Sequence, residues 1–169
     1  MVVFLHPKTN SPMAITRGTE APDFTLFSNK MEPFTLSEHR GKKVLLLFFP
    51  GAFTSVCTTE LNTVNSELPA FGGNSTQVVG LSTDSPFVLA EFRKVHKFDF
   101  PLLSDHDGEV SACYGSKYDH DFTSMKLDRI SKRSAFVVDK EGVVQYAEVL
   151  ENAGEQPNFD AIKQVLASL

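Results

Sequence analysis

Tryptophan is absent from this sequence, cysteine occurs only twice and histidine five times. Two cysteines, Cys57 and Cys113, 56 positions apart, exclude a multi-bridge disulfide scaffold, a four-cysteine zinc site and a C-x-x-C redox pair. Basic residues are in the minority, 16 against 21 acidic, and the net charge of −5 argues against a nucleic-acid protein, which presents a basic face. No apolar run approaches the roughly 20 residues of a membrane span; the longest, 44–49, suits a strand. A Gly-rich phosphate loop, a dinucleotide fingerprint, internal repeats and low-complexity tracts are all missing, so no nucleotide or flavin cofactor is implied. The apolar opening 1–5 is too short for a signal peptide. The Asn74-Ser75-Thr76 glycosylation pattern is therefore set aside, and a cytoplasmic location is expected.

What is present is a chain of 169 residues, 41% hydrophobic, with 15 Phe. A chain of this length hides roughly 70% of its unfolded surface, enough to stand as one domain over 1–169 without disulfides or a structural metal. The first twenty residues, with Pro7, Pro12 and Gly18, read as a loosely held arm. Residues 21–26 and 32–36 read as short strands around a Ser28-Asn29-Lys30 turn, an N-terminal β-hairpin. The continuous apolar run 43–49 reads as a strand buried on both faces, 77–82 as another and 100–104 as a third. Residues 135–139 and 143–149 flank a Lys140-Glu141-Gly142 turn, a second hairpin.

Helical spacing appears over 55–68, where Leu61, Val64 and Leu68 repeat at i, i+3 and i+7, and after Asp84-Ser85-Pro86, a helix start. A shorter helix is expected over 107–114, and Phe159, Ile162, Val165, Leu166 and Leu169 mark a last one. Strands alternating with helices predict an α/β three-layer sandwich with a mixed central sheet.

Chemistry concentrates in Phe49-Pro50-Gly51-Ala52-Phe53-Thr54-Ser55-Val56-Cys57-Thr58-Thr59-Glu60-Leu61. This stretch leaves a buried strand through a Pro-Gly turn and enters a helix, and α/β sites gather outside the carboxyl ends of strands. Cys57 falls in the first helical turn, where unpaired N–H groups and the positive dipole end favour a thiolate. Thr54 is placed as N-cap, its hydroxyl near the Cys57 amide. The alternative is a buried thiol that merely packs.

Pro50-x-x-x-Thr54-x-x-Cys57 resembles the active-site motif of the peroxiredoxins, thiol peroxidases on a thioredoxin-like fold. Gly18-x-x-Ala21-Pro22-Asp23-Phe24, Ser82-x-Asp84-Ser85-Pro86-Phe87, Phe100-Pro101-Leu102-Leu103-Ser104-Asp105 and Phe136-Val137-Val138-Asp139-Lys140-Glu141-Gly142 recur at family-like positions. The active-site motif and residues 100–105 are most similar to the one-cysteine, alkyl hydroperoxide reductase E type. The resemblance implies that Cys57 attacks hydrogen peroxide or an organic hydroperoxide and becomes a sulfenic acid. It implies that Thr54 binds the peroxide, Pro50 shields the sulfur, Arg133 stabilises it and Glu60 orients that Arg. It also implies a thiol reductant of thioredoxin, glutaredoxin, mycothiol or glutathione type, and a homodimer. Arg129 and Lys132 are the neighbouring competitors for the Arg133 role.

A lowered thiol pKa accounts for only part of such reactivity. A free thiol with pKa about 8.5 is roughly 3% ionised at pH 7, and lowering it to about 6 gains about thirty-fold in thiolate, while intrinsic nucleophilicity falls. Donors aimed at the breaking O–O bond must supply the rest.

Cys113 has two readings. With Val110 and Tyr114 it sits on an i, i+3, i+4 face, which suits a core thiol; alternatively it is a resolving cysteine that forms a disulfide with Cys57. Asp105-His106-Asp107 and Asp119-His120-Asp121 offer metal-type ligands, but alternate residues in one loop diverge, and no metal site is expected. The scattered His residues give no cysteine-hydrolase triad. The rival functions are a silent thioredoxin-fold binding or chaperone protein and a disulfide-exchange enzyme, the latter disfavoured by the missing C-x-x-C.

Overall fold

A computed structural model describes residues 15–119 and 125–169. Its strands are β1 (Thr25–Ser28), β2 (Pro33–Thr35), β3 (Lys43–Phe48), β4 (Thr76–Ser82), β5 (Leu102–Ser104), β6 (Ser134–Val138) and β7 (Val144–Val149). They form one mixed sheet in the order β2-β1-β5-β4-β3-β6-β7, in which β3–β4 and β4–β5 are the parallel pairs. The helices are α1 (Ser55–Ser66), α2 (Pro86–His96), α3 (Glu109–Cys113) and α4 (Phe159–Ser168).

Every residue of β3 is buried, because the strand has a layer on each side. Leu45 and Leu47 face Leu61 and Val64 of α1, Phe92 of α2 and Ile162 of α4. Val44, Leu46 and Phe48 alternate to the other face and meet Phe24, Val110 and Tyr114. The central strands approach closely: a Cβ on Gly80 of β4 would lie 2.7 Å from a Leu102 methyl, so only glycine fits there without movement. The buried Lys43 ammonium donates to the Leu166 carbonyl at 2.8 Å, capping the last turn of α4. This is the thioredoxin-like three-layer arrangement expected from the sequence.

Differences from the sequence reading are local. The first strand begins at Thr25, because Asp23 turns the chain before it, its Oδ1 accepting from Phe24 N and Ser37 N. β5 begins at Leu102, one residue after Pro101, whose ring nitrogen has no hydrogen to give a ladder. α1 stops at Ser66, and Leu68 lies in a separate turn with Pro69, which disfavours helical geometry at the preceding residue. The stretch read as a loose arm is tied down at its end. Gly18 N donates to Val144 O at 2.7 Å, Val144 N to Thr19 O at 2.8 Å, and Glu20 bridges Val143. The rest of that stretch, 1–14, lies outside the described residues, as do His120 and Asp121.

Candidate active site

Beyond the end of β3 the loop 50–53 is fixed by a carboxylate from the neighbouring strand. Asp84, two residues past β4, accepts from the Ala52 amide at 2.8 Å and from the Ser82 hydroxyl at 2.7 Å through the same oxygen. Ser104 of β5 in turn donates to the Asp84 carbonyl at 2.6 Å. Sequence reasoning assigned Asp84 to a helix start and missed this role; Ser85, not Asp84, caps α2, accepting from Val88 N. Phe53 takes a left-handed φ of 62°, costly for a bulky residue, while its half-exposed ring packs 4.9 Å from Phe92 of α2.

Thr54 is the N-cap of α1 by backbone conformation, but its hydroxyl donates to the Gly51 carbonyl at 2.8 Å instead of accepting from the Cys57 amide. The expected cap is thus corrected: the hydroxyl closes the loop, and its oxygen retains acceptor capacity. Pro50 is buried and Thr54 exposed. Cys57 follows in the first turn with 1% exposure. Cys57, Glu60, Leu61 and Val64 are the buried residues of α1, one i, i+3, i+4, i+7 face.

Arg133 comes from the far side of the sheet sequence, just before β6, and is 1% exposed. Its Nη2 donates to Cys57 Sγ at 3.4 Å and to the Ala153 carbonyl at 2.9 Å, while Nη1 donates to Glu60 Oε2. The Arg133 carbonyl accepts from Leu150 N at 2.9 Å, so the loop after β7 holds the residue at both ends. Glu60 is fully buried. Burial pushes its carboxyl up to about 7, against the pull of the Arg133 charge and hydrogen bond. Burial pulls the Arg133 pKa down, but the Glu60 and Cys57 charges and hydrogen bonds outweigh it, so the guanidinium stays charged. Among the described residues, Glu60 Oε1 and Arg133 Nε have no hydrogen-bond partner.

The competing cations lie elsewhere. Lys132 pairs with Glu151 at 2.7 Å on the rim, and Arg129 is exposed beside Asp128. Tyr118, missed from sequence, joins that rim: its ring lies 5.8 Å from the Lys132 ammonium, and burial and the Glu151 charge raise its hydroxyl pKa. Cys113 is half-buried at the end of α3, packed against the Val44, Leu46 and Phe48 layer, opposite the layer that holds Cys57. Burial raises its thiol pKa. Asp105 turns inward to accept from Val110 N and from Ser111 N and Oγ, whereas His106 bonds the Thr83 carbonyl, so the two diverge.

A buried thiol in the first turn of a helix, facing a buried arginine on a thioredoxin-like sheet, has the architecture of a thiol peroxidase. The chain belongs to the AhpC/TSA family, whose model matches residues 17–147. It is similar to alkyl hydroperoxide reductase E of Mycobacterium tuberculosis, 37% identical over 155 residues that cover 90% of this chain and 96% of the relative. It is also similar to the chloroplastic 2-cysteine peroxiredoxin of Chattonella marina var. antiqua, 32% identical over 93% of this chain and 82% of the relative. Among solved structures, peroxidoxin BcpB from Mycobacterium tuberculosis superposes with a TM-score of 0.78 at 30% identity, covering 92% of this chain and 98% of that one. The protein is a peroxiredoxin, a thiol-dependent peroxidase. Among the described residues, no helix is long and apolar enough to cross a membrane.

Proposed function

We propose that Cys57 is the peroxidatic thiol and that an external thiol regenerates it. The observation that carries this reading is the 3.4 Å contact between Cys57 Sγ and Arg133 Nη2, two side chains that are each 1% exposed. The thiolate attacks the terminal peroxide oxygen, the O–O bond breaks, the sulfur becomes a sulfenic acid, and the leaving oxygen takes a proton to become water or an alcohol. One reductant thiol then displaces water to give a mixed disulfide. A second releases Cys57 and carries the oxidised sulfur away as a disulfide.

Arg133 and the amides at the start of α1 supply positive potential at the sulfur and the leaving oxygen. Thr54, exposed at the start of α1, offers its hydroxyl oxygen to the peroxide proton. Pro50 walls the sulfur from solvent, and Glu60 and Ala153 O hold Arg133 in place. Hydrogen peroxide and alkyl hydroperoxides are the substrates of this reading. The reductant is a thioredoxin- or glutaredoxin-like protein or a mycothiol- or glutathione-type small thiol. An external reductant is favoured over Cys113 because the sheet separates the two thiols and burial keeps Cys113 protonated. A cytoplasmic homodimer completes the proposal; family members commonly dimerise.

The test is intact mass after one equivalent of hydrogen peroxide, with and without dimedone. An adduct on Cys57 in both wild type and Cys113→Ser supports the one-cysteine cycle. Loss of about two mass units in wild type alone, the signature of a disulfide, would replace it with a two-cysteine cycle.

A further inference from the structure

Two acids and one base meet in the site. Cys57, Glu60 and Arg133 are each at most 1% exposed; Cys57 and Glu60 stand three residues apart on one face of α1, and both accept from the same guanidinium. If both acids were ionised, a surplus negative charge would sit where water does not reach, which is strongly unfavourable. With one ionised, the cluster is neutral.

We propose that in the reduced enzyme Cys57 and Glu60 share one proton, Glu60 being neutral while the sulfur is a thiolate, and that Glu60 releases this proton when peroxide turns the sulfur into a neutral sulfenic acid. The step balances. Thiolate, carboxylic acid and peroxide give sulfenic acid, carboxylate and alcohol (or water). The sulfur is oxidised, the O–O bond is reduced, and the proton Glu60 gives up matches the one the leaving oxygen takes. Negative charge opposite Arg133 moves from sulfur to carboxylate and never vanishes or doubles.

Three observations support this beyond the count of charges. Glu60 Oε2 accepts from Arg133, which leaves Oε1, buried and without a hydrogen-bond partner among the described residues, as the oxygen to carry the proton. Burial pushes the Glu60 carboxyl up to about 7 even with Arg133 beside it, within reach of a proton at neutral pH. Two other cations are taken up elsewhere: Lys132 pairs with Glu151 at the rim, and Lys163 of α4 with Glu67 at the end of α1. The Tyr118 hydroxyl stays protonated, its pKa raised by burial and by Glu151. Glu60 touches Arg133 and not the substrate, so it acts as a positioning residue for charge.

The inference rests on Cys57 being the reacting thiol. Its test is infrared difference spectroscopy of the full chain near pH 7, reduced against treated with one equivalent of hydrogen peroxide, with all glutamates carrying a 13C-labelled side-chain carboxyl. The expected result is loss of one protonated-carboxyl band on oxidation. That band shifts with the glutamate label, which separates it from the buried Asp105, and it is missing in Glu60→Gln, an isosteric variant that still accepts from Arg133. A merely orienting Glu60, ionised throughout, gives no such band. Sulfenic acid formation at Cys57, trapped by dimedone, without any change in a labelled carboxyl band overturns the shared proton alone. No sulfenic acid at Cys57 overturns the site reading and this inference together. Because the main observation is made on the wild-type chain, it stands even if Glu60→Gln fails to fold.

Discussion

Cys57 and Cys113 pack against opposite faces of one sheet, the first among Leu45, Leu47 and Val137, the second beside Leu46, Phe48 and Phe136. Strand β3 passes between them, and a bond joining the two sulfurs would require one helix to leave its layer. Cys113→Ser is therefore expected to leave peroxide consumption with an added thiol unchanged within about two-fold, and its stability within about 1 kcal/mol of wild type for so small a change at a half-buried position. Steady-state turnover and urea unfolding check both.

Arg133→Lys keeps the charge but loses the fork that serves Cys57, Glu60 and the Ala153 carbonyl together. The second-order rate with hydrogen peroxide is expected to fall by about 100-fold, the scale of losing an aligned donor at the reacting centre. Stopped-flow measurement decides; a rate within a few-fold of wild type would mean that charge alone suffices.

Asp84→Ala removes the acceptor that fixes Ala52 and Ser82. Leaving a partly buried amide and hydroxyl unpaired costs roughly 1–3 kcal/mol, and the freed loop misplaces Pro50 and Thr54, a kind of error that lowers rates by about 10- to 100-fold. Asp84→Asn retains an acceptor and should recover most of the stability. Comparing the two variants in denaturant and in peroxide assays separates loop order from charge.

Asp105 is fully buried, and desolvation raises its pKa to about 6 although Ser111 and Val110 donate to it. The native state thus holds this proton more tightly than the unfolded chain, whose value is near 3.8. The contribution to stability is fully present below about pH 4 and is lost as pH rises through about 6. Asp105→Asn removes that dependence. Relative to the variant, wild type should weaken by up to roughly 3 kcal/mol between pH 4 and pH 7, a shift of about two pK units. Urea midpoints at four pH values check the slope.

The elements were legible where a single physical cause set them. The unbroken apolar run of β3 needs a layer on each face, and Pro86 after Ser85 starts α2 as its ring geometry dictates. Glu60 carried a readable signal: a carboxylate on the apolar stripe of α1, between Cys57 and Val64. Contacts made by backbone atoms left no trace in the sequence. Nothing in the identity of Ala153 or Ala52 marks a carbonyl for Arg133 or an amide for Asp84, and the Thr54 hydroxyl had two local partners of similar reach. The path that brings Arg133 to Cys57 depends on strand order, which composition and periodicity do not encode.

Arg133 follows Cys57 by 76 residues, and the carbonyl that steadies it belongs to Ala153, 20 residues later still. During synthesis the cysteine emerges well before its cation exists, and for that interval it has no guanidinium beside it. The pairing arises only when the final hairpin and the loop beyond it have docked. If Cys57 is the reacting thiol, peroxide turnover that relies on this guanidinium reports that the C-terminal segment has finished folding.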